Sequence, residues 1–292
     1  MPMPEYRTLK LTLAYDGTDY VGWQIQPNGP SVQAEVERAI ERLTRSPATV
    51  MAAGRTDSGV HALGQVASFR TTSRIPCVQF RRGLQNFLPD DILVRDVEEV
   101  PDDFHATRSA YFKRYRYIIR NDRYRDPFLR RYVWQYHAPL DAARMHEAAQ
   151  HLVGTHDFRS FESHWPNKAT SIRTVYEATV TRQPGWPVWH PLLPAAPPGP
   201  HQPSGPVDGL TNEHKQQSPF LCFDIVADGF LYNMVRAITG TLVKAGLGRW
   251  SSEDVRRVLA SQSRDHAGET APPQGLYLVQ VDYDRPYASP QS

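Results

Sequence analysis

The chain has 292 residues, a formal net charge of +2 at pH 7, 40% hydrophobic residues and two cysteines. That length supports one large or two smaller domains, and Cys77 and Cys222, far apart in sequence, suggest neither a disulfide framework nor a zinc cluster and fit a reducing cytoplasm. Met1 to Lys10 lacks the apolar run of a signal peptide, and the longest apolar helix candidate, Phe230 to Leu247, carries Asn233, Arg236 and Lys244, which argues against a membrane span.

Leu9 to Tyr15 alternates with period two and ends at the turn signal Asp16-Gly17, so the chain opens with a strand. Ser31 is the expected N-cap of a helix that buries Val32, Val36, Ile40 and Leu43 and runs to about Arg45. Ala48 to Ala53 and Gln65 to Phe69 read as strands on either side of a glycine-bracketed turn; a helix near Val78 to Phe87 and a strand at Ile92 to Val97 complete the series. Strand, helix, strand, strand, helix, strand is the split unit of a ferredoxin-like domain, an antiparallel sheet with helices on one face.

A similar series follows, without residue-level repetition. Strands are predicted at Phe112 to Ile119, Ser171 to Thr181, Phe220 to Ala227 and Leu276 to Val281, and helices at Asp141 to Leu152, Phe230 to Leu247 and Ser252 to Ala260. The expected fold class is therefore α+β, with halves at residues 1–108 and 109–292. Ten of the 25 prolines lie between Pro184 and Pro219, where the chain can neither pair in a sheet nor continue a helix, so this stretch reads as a long inserted loop in which Trp186 and Trp189 dock the first part.

From Arg108 to Arg131 there are nine Lys or Arg against Asp122 and Asp126, interleaved with Tyr111, Phe112, Tyr115, Tyr117, Tyr124 and Phe128. Cations and stacking surfaces together are the footprint of a nucleic-acid binder; the plainer reading is a charged strand edge that resists aggregation.

Three constellations carry chemistry. In Gly54-Arg55-Thr56-Asp57-Ser58-Gly59-Val60-His61-Ala62 one carboxylate sits in a tight turn beside a guanidinium. Either Asp57 merely bonds backbone amides, or Arg55 holds it ionised below the ordinary value of about 3.9, as a nucleophile or charge stabiliser requires. His61 is near enough in sequence to be a base, but in this context fills a strand position. In Asp228 to Gly240, Leu231, Val235, Ile238 and Leu242 form a core stripe and leave Arg236 on another face, with Tyr232 one turn before it and Gly240, open to close approach by something large, one turn after. In Lys113-Arg114-Tyr115-Arg116-Tyr117 the strand period places Lys113, Tyr115 and Tyr117 on one face and Arg114 and Arg116 on the other. The tyrosines suit a stacked base or, equally, a core. The eleven histidines show no metal-ligand spacing, and Gly246-Leu247-Gly248 lacks the remainder of a dinucleotide fingerprint, so no metal or cofactor is implied.

Taken in order, these motifs resemble the tRNA pseudouridine synthase A family: Gly54 to Ala62, Lys113 to Ile119 and Phe230 to Gly240, together with the opening Ala14 to Gln24. The resemblance covers nearly the whole chain outside Pro184 to Pro219. It implies two ferredoxin-like (RRM-like) halves joined across a central RNA-binding cleft, a homodimer, and isomerisation of uridine to pseudouridine at positions 38, 39 and 40 of the tRNA anticodon stem-loop without a cofactor. It makes Asp57 the catalytic aspartate, Arg236 its ion-pair partner and Tyr115 the tyrosine that stacks on substrate and accepts the C5 proton, directly or through water. Arg55 becomes a candidate for extruding the target base, and Lys113, Arg114 and Arg116 candidates for holding RNA. A noncatalytic RNA-binding factor on an RRM-like sheet is the rival, although it would have no need for a bracketed carboxylate with a guanidinium partner.

Overall fold

The computed structural model describes residues 5–163, 170–188 and 218–284. Within them the elements are β1 (Arg7–Tyr15), α1 (Val32–Thr44), β2 (Met51–Ala52), β3 (His61–Thr71), α2 (Cys77–Gln85), β4 (Ile92–Val100), β5 (Phe112–Asn121), β6 (Trp134–Tyr136), α3 (Ala142–Gln150), β7 (Gly154–Asp157), β8 (Ile172–Gln183), β9 (Phe220–Ala227), α4 (Met234–Gly246), α5 (Ser252–Ser261) and β10 (Leu276–Asp282). Local signals set several ends. Ser31 accepts the Ala34 amide at the start of α1, Asp141 accepts those of Ala143 and Arg144 at α3, and Ser251 with Asp254 closes a capping box at α5.

All ten strands join one mostly antiparallel sheet in the order β4-β1-β3-β10-β5-β9-β8-β7, with β2 paired to β3 and β6 to β5. The strand latest in sequence therefore lies in the middle. β10 runs parallel to β3 through Tyr277 opposite His61 and Leu278 opposite Ala62, and antiparallel to β5 along its other edge. Period-two alternation sorts the side chains. Leu9, Leu11 and Leu13 of β1 and Tyr115, Tyr117 and Ile119 of β5 enter one large apolar cluster with the buried faces of the helices. A smaller cluster on the reverse face gathers Leu63, Ile118, Val133, Val188, Phe220 and Tyr277, and Trp186 packs against it between Tyr132 and Phe220.

Two readings of the sequence change. The strand expected over Ala48 to Ala53 shrinks to Met51–Ala52, because the Val50 amide donates to the Glu37 carboxylate instead of a strand partner. The helix expected from Phe230 begins at Met234, since Asn233 holds a left-handed backbone, φ 61°, that a helix cannot include. The short strands β6 and β7 carry no periodic signal and were not anticipated. The proline-rich stretch from Pro184 to Pro219 lies mostly outside the described residues, Trp189 included. Among the described residues no helix is long and apolar enough to cross a membrane.

Candidate active site

Asp57 sits in the loop between β2 and β3, and the segment after β1 holds that loop from outside. Trp23 donates its amide to the Thr56 carbonyl at 3.0 Å, and the Gly59 amide and Ser58 hydroxyl both donate to the Tyr20 carbonyl. Gly22 makes this approach possible: it has φ +109°, and a Cβ there would lie 2.5 Å from the Thr56 oxygen. From beneath, Tyr15 shares a 2.7 Å hydrogen bond with Thr56, and the fully buried Gln65 donates to the Gly54 carbonyl at 2.8 Å. Burial pushes the Tyr15 phenol up to about 12, so it stays protonated. The opening segment Ala14 to Gln24, to which sequence reasoning gave no role, is thus the clamp of the loop.

The carboxylate faces the start of α4 across the cleft. Arg236 Nη1 is 3.7 Å from Asp57 Oδ2, an ion pair too long to be a hydrogen bond. The guanidinium is itself fixed: its Nε donates to the Ala271 carbonyl and its Nη1 to Asn233 Oδ1, both at 2.7 Å. Asn233 in turn donates to the Ser163 hydroxyl at 2.8 Å. Gly240, one turn along α4, contributes indirectly. A Cβ there would collide with the Glu269 carbonyl, so what approaches it is this chain's own segment 268–271, which carries the Ala271 anchor.

Arg55, the sequence neighbour expected to keep Asp57 ionised, is exposed at the cleft rim, and Arg236 makes the ion pair instead. Nor is the carboxyl lowered. Burial raises it above its ordinary 3.8, and the Arg236 charge offsets this only in part. A more basic carboxylate is a better nucleophile once ionised.

The expected aromatic pair divides. Tyr117 is wholly buried and donates to the Pro272 carbonyl, a core residue. Tyr115 lines the cleft, its ring edge-on to Phe230 at 4.8 Å. Burial raises its phenol, which is therefore protonated at neutral pH and can take up a proton only by passing its own on. Lys113 lies on the same face with its side chain along Gly54. Arg114 and Arg116 do not join them. As the strand period requires, they point to the reverse face, where Arg114 pairs with Glu177 at 2.8 Å and Arg116 with Asp224 at 2.9 Å. His61 is buried on the far side of the loop, its Nε2–H donating to the Arg131 carbonyl at 3.0 Å and its Nδ1 3.1 Å from Asp16.

The cleft around Asp57 has a volume of about 1010 Å³ and is bounded by the Val21 to Asn28 loop on one side and Phe230 to Val235 on the other. It offers a half-buried carboxylate, a tethered guanidinium, a phenol and an ammonium group to one ligand. A family model for tRNA pseudouridine synthase matches residues 12–107 and 148–284. The chain belongs to that family, which makes it an isomerase. It is similar to the tRNA pseudouridine synthase A of Thermoanaerobacter sp. (strain X514), with 40% identity over 95% of this chain and 100% of the relative. The protein of the same name from Moorella thermoacetica is 44% identical over 94% of this chain and 99% of its own length, and that of Myxococcus xanthus 41% identical over 94% and 91%.

Proposed function

We propose that the chain isomerises uridine to pseudouridine in tRNA, at positions 38, 39 and 40 of the anticodon stem-loop, with Asp57 as the nucleophile. The observation that carries this is the Asp57–Arg236 ion pair in a cleft shared with Tyr115. The reaction breaks the bond between ribose C1′ and uracil N1, turns the ring, joins C1′ to C5, releases the C5 proton and puts a proton on the freed N1, so that substrate and product are isomers. Either Asp57 adds to uracil C6 and so tethers the base while the ring turns, or uracil departs as the ribose loses a proton to give a glycal and the cleft walls retain it; both routes need one carboxylate.

Arg236 holds Asp57 in place and limits the rise of its pKa, so that an ionised fraction is available. Tyr115 gives the uracil a flat surface and relays the C5 proton to water. A paired uridine must leave its stack to reach Asp57, at a cost of about a few kcal/mol, and Arg55 at the rim is positioned to fill the gap. Lys113 neutralises a nearby phosphate. In this reading residues 1–108 and 109–292 are two ferredoxin-like halves that close on the stem-loop, and the enzyme acts as a cytoplasmic homodimer.

The test uses purified protein and an unmodified tRNA transcript tritiated at uridine C5. Tritium release, with carbodiimide-dependent primer-extension stops at positions 38 to 40, is the expected result. Tight binding without release overturns the reading in favour of a noncatalytic binder. In the same assay Asp57→Asn is expected to abolish product while keeping tRNA affinity within roughly tenfold, because the carboxylate serves chemistry rather than affinity. Turnover comparable to wild type would remove Asp57 from the reaction.

A further inference from the structure

The basic, aromatic stretch from Arg108 to Arg131 separates into two parts in the folded chain. The strand part commits its guanidiniums to carboxylates: Arg114 to Glu177, Arg116 to Asp224, and Arg120 to both Asp122 and Asp126. The part that follows, the arm of residues 122–133 between β5 and β6, is different. Its two acids turn inward to Arg120 and also accept backbone amides, Tyr124 on Asp122 and Phe128 and Leu129 on Asp126. The outer surface of the arm therefore carries exposed Arg123, Arg125 and Arg130 around two rings, while Arg131 at its root pairs with Asp19 at 3.4 Å. Tyr124 is 71% exposed and Phe128 86%, the most exposed large apolar side chain among the described residues. Arg123 lies 5.9 Å from the Tyr124 ring centre.

The arm is anchored. Val133 is buried in the reverse-face cluster and Leu129 packs against it. Tyr132 donates to Asp16 at 2.8 Å, Tyr277 donates to the Tyr132 carbonyl at 2.7 Å, and His61 donates to the Arg131 carbonyl at 3.0 Å. Asp16 and His61 belong to the segments that enter the clamp and leave the Asp57 loop, so the arm and the candidate active site share one scaffold. These contacts use the root of the arm and leave its tip, Arg123 to Phe128, turned outward. Rings flanked by cations on a fixed support are what an unpaired nucleotide needs, a face to stack on and charge for its phosphate. Charge sign selects the partner: with both acids tied inward, the tip repels cationic surfaces and attracts phosphates.

We propose that this arm is a second RNA-binding surface, outside the Asp57 cleft, on which unpaired nucleotides of the substrate stack against Tyr124 and Phe128 while Arg123, Arg125 and Arg130 hold their phosphates. It deepens the reading of the chain as a tRNA uridine isomerase and rests on it. The test compares full-length wild type with the double variants Tyr124→Ala/Phe128→Ala and Arg123→Ala/Arg125→Ala, all at exposed positions, with melting temperature as the control for folding. Affinity for an unmodified tRNA transcript is measured over a salt series, tritium release over an RNA series, and self-association by sedimentation.

Removing both rings is expected to weaken tRNA binding about ten- to hundredfold at an unchanged salt slope, with the loss appearing in KM rather than in kcat. Removing both arginines is expected to lower the slope of log affinity against log salt by about two. Wild-type affinity and slope in both variants would overturn the proposal. So would weakened binding that tracks a shift to a smaller sedimenting species, since the arm would then be a contact between copies of this chain. Wild type that binds tRNA through the arm but releases no tritium would refute the isomerase reading and leave the arm standing.

Discussion

At Asp57 burial outweighs the attraction of Arg236, so ionising this carboxyl costs more in the folded chain than in the unfolded one. Between the ordinary 3.8 and the raised value the folded chain binds more protons, and the contribution of this group to stability falls as pH rises through that window. Asp57→Asn is therefore expected to melt no lower than wild type at neutral pH, and higher if the freed Arg236 stays on Asn233 and Ala271; calorimetry across the acid range checks it, and a clear fall would mean that the ion pair outweighs burial. The acid limb of kcat/KM should follow the raised Asp57. Arg236→Gln removes the one charge that lowers it, and should move that limb to higher pH as well as reducing kcat. Asn233→Gly keeps the left-handed backbone without strain but removes the carboxamide that tethers Arg236. It should shift the limb in the same direction with little change in melting temperature, whereas an unmoved pH profile would make Asn233 a helix terminus and nothing more. The partnership itself was not legible from neighbouring residues: Arg55 is two positions from Asp57, and the guanidinium that meets it comes from 179 positions away, reached in the reading only through the family resemblance.

Elements were legible where local physics decides them. Ser31, Asp141 and Ser251 cap helices because a side-chain oxygen is what the free amides there lack, and the alternation in β5 correctly put Lys113 and Tyr115 on one face and Arg114 and Arg116 on the other. What alternation could not supply was the partner. Glu177 and Asp224 lie on β8 and β9, and only the pairing of those strands brings them to the arginines. The same holds for the clamp over the Asp57 loop, where Trp23 and Gly59 bond through their backbones and Tyr15 and Ser58 meet partners that no strand or helix period brings to them. Gly22→Ala tests it: the new Cβ meets the Thr56 carbonyl at 2.5 Å in a backbone region costly to an L residue, so a loss of roughly 2 kcal/mol or more in stability is expected. Activity should fall further than stability does, because relief of the clash displaces the loop that carries Asp57. Urea melts together with turnover at a temperature where the variant is folded separate the two effects.

Across the whole molecule the sheet is continuous, yet its centre depends on one strand. β10 supplies Leu276, Tyr277 and Leu278 to β5 on one side and its parallel contact to β3 on the other, so the β4-β1-β3 strands and the β5-β9-β8-β7 strands meet through it. No sequence pattern announces this position, since Leu276 to Val281 reads as one more apolar strand. Ending the chain before Leu276 is expected to abolish the cooperative melt and tRNA turnover together, although every residue of the Asp57 loop, β5 and α4 remains.

The placement of β10 also bears on how the chain is made. A ribosome delivers β3 and β5 long before it delivers their common neighbour, and until then each presents an open edge of unpaired amides and carbonyls. The nascent protein passes through a stage in which the strands on either side of β10 are made and their seam is not, and a strand from another chain can take the vacant place. Synthesis of some two hundred residues separates β3 from β10, so at about 5–20 residues per second that exposure lasts roughly 10 to 40 seconds. Slow translation between Phe112 and Leu276 should therefore increase aggregation.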